Sequence, residues 1–410
     1  MPVRSLDAAA RRRLRREAIF DCCKWDVQME DVCALSPVPI VLRRQAWREV
    51  SRLAERLAAE TLAAEAELRR WPRLHRRLGL PTRALKELAR AARTEPADAG
   101  VRVIRFDFHF TTDGWRVSEA NTDVPGGYCE AAALTRAVGR WYPDLVPTGD
   151  PARALAEGIR RQTLDGAPVA LVHATAFTDD RQVMVHLARE LKRAGVSAEL
   201  LSPDHLAWRD GRAFIRANWR QGPAGFVFRF FPAEWLPNLR RGCGWRHFFH
   251  GAATPLANPG AALLTQSKRF PLVWADLTTA MPAWRQLLPE TRAPEAADWR
   301  NDDLWVLKPA LGRVGELVGL PGVTGPRQWQ EIRRAVSKQP QFWAAQRRFA
   351  AVPMETEDGP RYPCVGVYVI DGRVCGAYGR VAKRPLVDQY AQDAAVLLAP
   401  EGAAAAPPNP

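Results

Sequence analysis

The chain has 410 residues, 47% hydrophobic and 25% charged, with seven cysteines and a net charge of +14 from 59 Lys and Arg against 45 Asp and Glu. That length supports two or three domains and a sizeable core. No apolar run reaches membrane-spanning length, the basic N-terminus lacks the apolar stretch of a secretory signal, and an odd, unpatterned cysteine set fits a reducing cytosol rather than a disulfide scaffold.

A pI of about 10.0 raises nucleic acid as a partner. Most of the positive charge, however, is Arg spread along predicted helix faces, and no zinc-finger, helix-turn-helix or RNA-binding signature is present. A polyanionic small ligand such as a nucleotide is the simpler partner, and no membrane association is expected.

In chain order, Arg11, Arg12, Arg13, Arg15 and Arg16 form a charge run on a predicted helix within residues 4–34, the solvated face of that helix. Pro37 and Pro39 break the pattern. Residues 44–71 are predicted as one long amphipathic helix, with Val50, Leu53, Leu57 and Leu62 near helical spacing. Pro72 and Pro81 punctuate a further helical stretch to about Ala92.

Residues 101–121, VRVIRFDFHFTTDGWRVSEAN, read as two strands joined at Thr112-Asp113-Gly114, a three-residue loop with Gly114 at its left-handed position. That register sets Asp107 opposite Glu119 and Arg105 opposite Asn121, all on one face. Ile104, Phe106, Phe108 and Phe110 take the other, apolar face. Like charges directly opposite each other destabilise a ladder. A hard divalent cation such as Mg²⁺ resolves the conflict, because carboxylate and carboxamide oxygens are its ligands. Asp107, Glu119 and Asn121 are therefore the candidate metal set. The alternative is that Arg105 neutralises both carboxylates on a solvated face. His109 shares the site face and is read as structural. The Pro125-Gly126-Gly127 turn is punctuation that also permits close backbone approach to a ligand, and a helix over about 130–141 follows.

Strand 169–174, helix 180–194 and strands near 198–201 and 225–229 give the pattern of a small parallel sheet. No GxGxxG follows the first strand, so no dinucleotide site is expected there. Residues 305–309 form a strand carrying Lys308, followed by the loop ALGRVG and a second apolar strand through Val318. Lys308 with Gly312 and Gly315 resembles a phosphate-binding hairpin, in which backbone N–H groups and a lysine meet phosphate oxygens. An ordinary hairpin with a snorkelling lysine is the other reading. Residues 342–349 form a strand containing Gln346. Residues 365–370 and 373–378 flank Asp371-Gly372 in a two-residue hairpin, and Arg380 continues on the face of Tyr378. Cys364 and Cys375, on these neighbouring strands, read as small buried hydrophobes.

Together and in this order, RFD…DGWRVSEANTD, TQSKRFPLVWADL, WVLKPALGRVGE, AAQRRF and VYVIDGRVCGAYGR resemble the synthetase domain of glutathionylspermidine synthetase. The resemblance covers most of residues 15–400, loosely over 150–250. Its most specific parts are the R-x-D…E-x-N spacing and the KP-x-x-GR-x-G segment. No amidase domain, as in bifunctional members, is expected ahead of it. The resemblance implies an α/β ATP-grasp fold with an N-terminal helical region and metal-binding hairpin (1–150), a Rossmann-like central lobe (151–255), a nucleotide-binding lobe (256–400) and an Ala/Pro-rich disordered tail (401–410).

The same resemblance implies site roles. Asp107, Glu119 and Asn121 would hold Mg²⁺ on the ATP phosphates, and Arg105 would contact the transferring phosphoryl group or the acyl phosphate. Lys268 and Lys308 would bind phosphates, with Gly312 and Gly315 in the covering loop. Gln346 would lie near the adenine, and Arg380 would stabilise charge in the transition state. The implied activity is cytoplasmic, ATP-dependent ligation of a small-molecule or peptide carboxylate to an amine, giving ADP and phosphate. Glutathione and spermidine are the family's substrates; the basic surface suits an anionic peptide and disfavours a polycation. The remaining readings are a peptide or natural-product amide ligase with a different acceptor, and a nucleotide- or nucleic-acid-binding protein without turnover.

Overall fold

A computed structural model describes residues 4–93, 100–312 and 317–401. The long amphipathic pattern forms a helix over Arg44–Arg70, whose buried residues, among them Val50, Ala54, Leu57, Ala58, Thr61 and Ala64, recur at three- and four-residue spacing. Arg69 and Arg70 close its last turn, where cations suit the helix dipole. Pro72 then opens a short helix from the position where its missing N–H costs nothing. The first helix, Ala8–Phe20, buries Leu14 and Ala18 and leaves Arg11, Arg12, Arg13, Arg15 and Arg16 exposed, as expected.

The apolar face of the long helix packs on a five-stranded antiparallel sheet. Its strand order is Gln392–Ala394, Arg373–Ala382, Tyr362–Ile370, Val103–Thr111 and Gly114–Asn121. Ile104, Phe106, Phe108, Val365, Val367 and Val369 fill the core side. The hairpin over 103–121 has the expected pairs, Asp107 with Glu119 and Arg105 with Asn121, for a different reason. The strands close on each other across Thr112-Asp113, so Thr111 faces Gly114, and the extra residue is Ser118, bulged between Val117 and Glu119. A tighter turn and a bulge together restore the register that a three-residue loop predicts. At the second hairpin, Asp371 (φ 47°) and Gly372 (φ 80°) are both left-handed, which fits the right-handed twist of the strands they join.

A second sheet is wholly parallel, in the order Leu256–Ala257, Phe226–Phe230, Val169–His173 and Ala198–Leu201, with the Thr178–Arg193 helix as a crossover. Beside it lies an antiparallel sheet of Leu206–Arg209, Arg212–Ala217 and Arg220–Pro223 that the sequence reading overlooked. Its signal was present: Asp210-Gly211 joins two strands, and Ala213, Ile215 and Ala217 are alternately buried.

A third antiparallel sheet joins Thr291–Arg292, Trp343–Arg347 and Trp305–Pro309. The Pro326–Lys338 helix covers it through Ile332 and Val336 against Trp305, Leu307 and Trp343. The strand expected through Val318 is not formed among the described residues; Gly319 makes a single antiparallel bridge to Leu307. No helix among the described residues is long and apolar enough to cross a membrane.

Candidate active site

The face of the five-stranded sheet opposite the long helix and the edge of the third antiparallel sheet bound a cavity of about 1170 Å³. Arg105, Asp107, Glu119, Asn121, Lys268, Lys308, Gly312, Gln346 and Arg380 all line it. Gly315 lies outside the described residues. Side-chain alternation places Arg105 and Asp107 on the same face, where Arg105 grips Asp107 through two parallel bonds, Nε to Oδ1 at 2.7 Å and Nη2 to Oδ2 at 2.9 Å. Arg105 Nη1 donates to the Gly126 carbonyl at 2.6 Å, and the Tyr368 hydroxyl donates to the same oxygen. The backbone of the Pro-Gly-Gly turn thus comes close to Arg105. The guanidinium also lies 5.2 Å from the centre of the Tyr378 ring.

Room for this pair comes from Gly366, the ladder partner of Asp107. A Cβ there would lie 2.8 Å from Arg105 Cδ and 2.9 Å from Asp107 Oδ1. The alternative reading of the hairpin is corrected in two respects. Arg105 does neutralise Asp107, but on a buried face, Asp107 being 8% exposed, and Glu119 is met by Lys268 instead.

Lys268 Nζ sits 2.8 Å from Glu119 Oε2 and 3.4 Å from the Gly312 carbonyl oxygen. Lys308 Nζ donates to Gln346 Oε1 at 2.7 Å and to the Ser118 carbonyl at 3.1 Å. Gln346 Nε2 donates onward to Thr291 Oγ1 at 3.0 Å, which fixes its amide. Asn121 Nδ2 donates to Asp107 Oδ2 at 3.2 Å. Arg380 Nη2 is held by the carbonyls of Asp388 and Ala391 at 2.7 and 3.1 Å, while its buried Nε has no hydrogen-bond partner.

Burial alone would raise the Glu119 carboxyl, but Lys268, Lys308 and Arg105 hold it at about 2. Burial raises Asp107 against the pull of Arg105, and Glu119, which hydrogen-bonds to it, adds to the rise. Burial brings the Lys308 ammonium down to about 8, Glu119 opposing. His109 falls to about 4 through burial and the nearby Lys308. It is therefore neutral near pH 7, packs 5.1 Å from the Phe349 ring and reaches Ser118 Oγ at 3.1 Å, a structural role.

Sequence reasoning missed three contributors. Gly366 had a signal, since a glycine inside a strand marks close approach. Asp123, next to the hairpin, forms a fully buried ion pair with Arg229; its place in SEANTD was the only hint. Lys24 reaches the cavity from the N-terminal segment and had no signal at all.

A family model for glutathionylspermidine synthase preATP-grasp proteins matches residues 36–397. The chain belongs to that family. Among solved structures, a glutathione synthetase-like effector from Globodera pallida, in its apo form, superposes with a TM-score of 0.65 at 12% identity, covering 94% of this chain and 97% of that one. A putative gamma-glutamylcysteine synthetase from Methylobacillus flagellatus KT gives 0.41 at 12% identity over 79% and 86% of the two chains. No curated protein matches this chain. As a member of the glutathionylspermidine synthase family, the chain is a ligase of the synthetase kind, and its α/β architecture is the expected ATP-grasp type.

Proposed function

We propose that the chain joins a carboxylate to an amine through an acyl phosphate, using ATP and releasing ADP and phosphate. The observation that supports this reading is the convergence of Arg105, Lys268, Lys308 and Arg380 on one cavity beside Asp107, Glu119 and Asn121. A carboxylate oxygen is a poor leaving group, so amide formation needs activation. Phosphoryl transfer asks the protein for positioning and charge neutralisation rather than for a covalent group.

In this reading Lys268 and Lys308 take the ATP phosphates, with Gly312 beside them. Gln346 holds Lys308 in place and lies near the adenine. Arg105 contacts the phosphoryl group as it transfers, and the unpartnered Nε of Arg380 meets charge on the carboxylate side. Asp107, Glu119 and Asn121 fit a hard cation. Their donors are oxygens, and the charge of Glu119 raises the Asp107 carboxyl, a like-charge conflict that a cation relieves. Mg²⁺ held there would neutralise charge on the phosphates. Arg105 keeps Asp107 oriented for that role. The net charge of +14 suits an anionic acid substrate such as glutathione. Seven free thiols suit the cytosol.

The deciding experiment follows phosphate release from ATP with a panel of acids and amines, then repeats the productive pair with ¹⁸O in the carboxylate. Label is expected in the released phosphate; label in AMP would mean adenylation and would end this reading. In the same assay system, Lys308→Ala is expected to weaken ATP binding roughly ten- to a hundredfold, the worth of one charge-assisted contact. Unchanged affinity by calorimetry returns Lys308 to an ordinary strand lysine.

A further inference from the structure

The N-terminal segment precedes the family-matched residues 36–397, yet it places one side chain in the cavity. Lys24 is pinned on both sides: its N–H donates to the Ala18 carbonyl at 2.9 Å, and the Trp25 N–H donates to Gln182 Oε1 at 2.7 Å. Its ammonium lies 2.9 Å from Glu130 Oε1 and 3.0 Å from Asp393 Oδ2. Burial works against that charge, but Asp393 and Glu130 hold its pKa well above the usual lysine value.

This cluster sits close to the reacting end. Asp393 is the ladder partner of Arg380. Its Oδ1 accepts from the Tyr378 hydroxyl at 2.6 Å, and the ring of Tyr378 carries Arg105. Glu130 lines the cavity, is 5% exposed, and keeps its Oε2 without a hydrogen-bond partner. Two buried carboxylates and a phenol, a short way from the phosphate-facing cations, make a receptor for an ammonium group. The chain fills that receptor from within.

We propose that Lys24 sets acceptor specificity: its ammonium occupies the Glu130–Asp393 pair, so the acceptor amine brings a single cationic group, the one that reacts. This rests on the ligase reading above and narrows it to monoamines, amino acids included. A diamine of suitable length would need the Glu130–Asp393 pair for its second ammonium, and in this chain that pair is taken.

The test compares 1-aminobutane with 1,4-diaminobutane by calorimetry on the full chain. Wild type is expected to bind the two within about threefold, and Lys24→Met to bind the diamine at least about tenfold tighter with the monoamine unchanged. Diamine affinity no higher in the variant than in wild type overturns the proposal. Lys24→Met leaves two carboxylates facing each other, so Lys24→Met with Glu130→Gln serves as the better-folded companion. It is expected to melt near wild type and to lose the diamine gain; a retained gain would mean the pair is not the receptor. Wild-type turnover gives a check independent of any variant: a tenfold preference for the diamine in phosphate release overturns the proposal. Absence of phosphate release with every acid and amine overturns the ligase reading instead, and leaves the binding comparison intact.

Discussion

At Gly366 the side chain is a hydrogen because Arg105 and Asp107 occupy the space above it. The atoms a methyl group would meet belong to side chains, which move more readily than backbone, so Gly366→Ala is expected to fold. We expect a stability loss of about 1–3 kcal/mol, the usual cost of overpacking, read by urea denaturation. Phosphate release should fall at least about tenfold, because the two-pronged Arg105–Asp107 contact must open. Near-wild-type turnover would show that the pair tolerates displacement. At this scale the sequence carried the hairpin residues well: two-residue alternation alone puts Arg105, Asp107, Glu119 and Asn121 on one face. It did not carry their partners. Lys268 on Glu119 and Gln346 on Lys308 are contacts between distant segments, and no local pattern encodes them.

The Thr178–Arg193 helix buries His186 at 3% exposure, with Nε2 lacking a partner. Burial brings its pKa down to about 4, Asp150 opposing. In the unfolded chain the same group titrates near 6.5, the ordinary value of an imidazole. Between those values the unfolded state takes up a proton that the folded state refuses, so stability falls as pH drops from 6.5 to 4 and flattens below. The full loss is about 3 kcal/mol for this group. His186→Gln is expected to reduce that slope, measured as urea midpoints at pH 7 and pH 5, and to leave the share of His109, which burial lowers likewise; an unchanged slope would assign it to other groups. At the level of elements, the long helix over 44–70 and the Asp371-Gly372 hairpin were legible because periodicity and turn chemistry are local. The 206–223 sheet was equally local, and its Asp210-Gly211 turn went unread. The hairpin over 103–121 came out in register because two departures compensated, the tighter turn and the Ser118 bulge.

Across the whole molecule, one buried polar network ties the five-stranded sheet to the parallel one. Arg229, fully buried, pairs with Asp123 and donates to the Asn258 and Phe231 carbonyls. Asp123 also accepts from the Ala233 N–H at 2.9 Å, and Asn258 Nδ2 donates to the carbonyls of Val103 and Thr122 at 2.8 and 2.9 Å. Removing one partner strands the other charge, so Arg229→Met is expected to cost about 3–5 kcal/mol, and adding Asp123→Leu to recover much of it. Equal stability of the single variant and wild type in urea would deny the network that role. None of this was visible in the sequence, because the three segments meet only once the fold has closed. The strand order carries a consequence for biosynthesis. Val103–Thr111 pairs on one side with its own hairpin and on the other with Tyr362–Ile370, made far later. At roughly 5–20 residues per second, tens of seconds pass on the ribosome before that partner emerges. For that interval the nascent hairpin shows Ile104, Phe106 and Phe108 beside an unpaired strand edge, the surface that invites aggregation. The hazard ends when residues 362–370 pair with that edge and close the sheet.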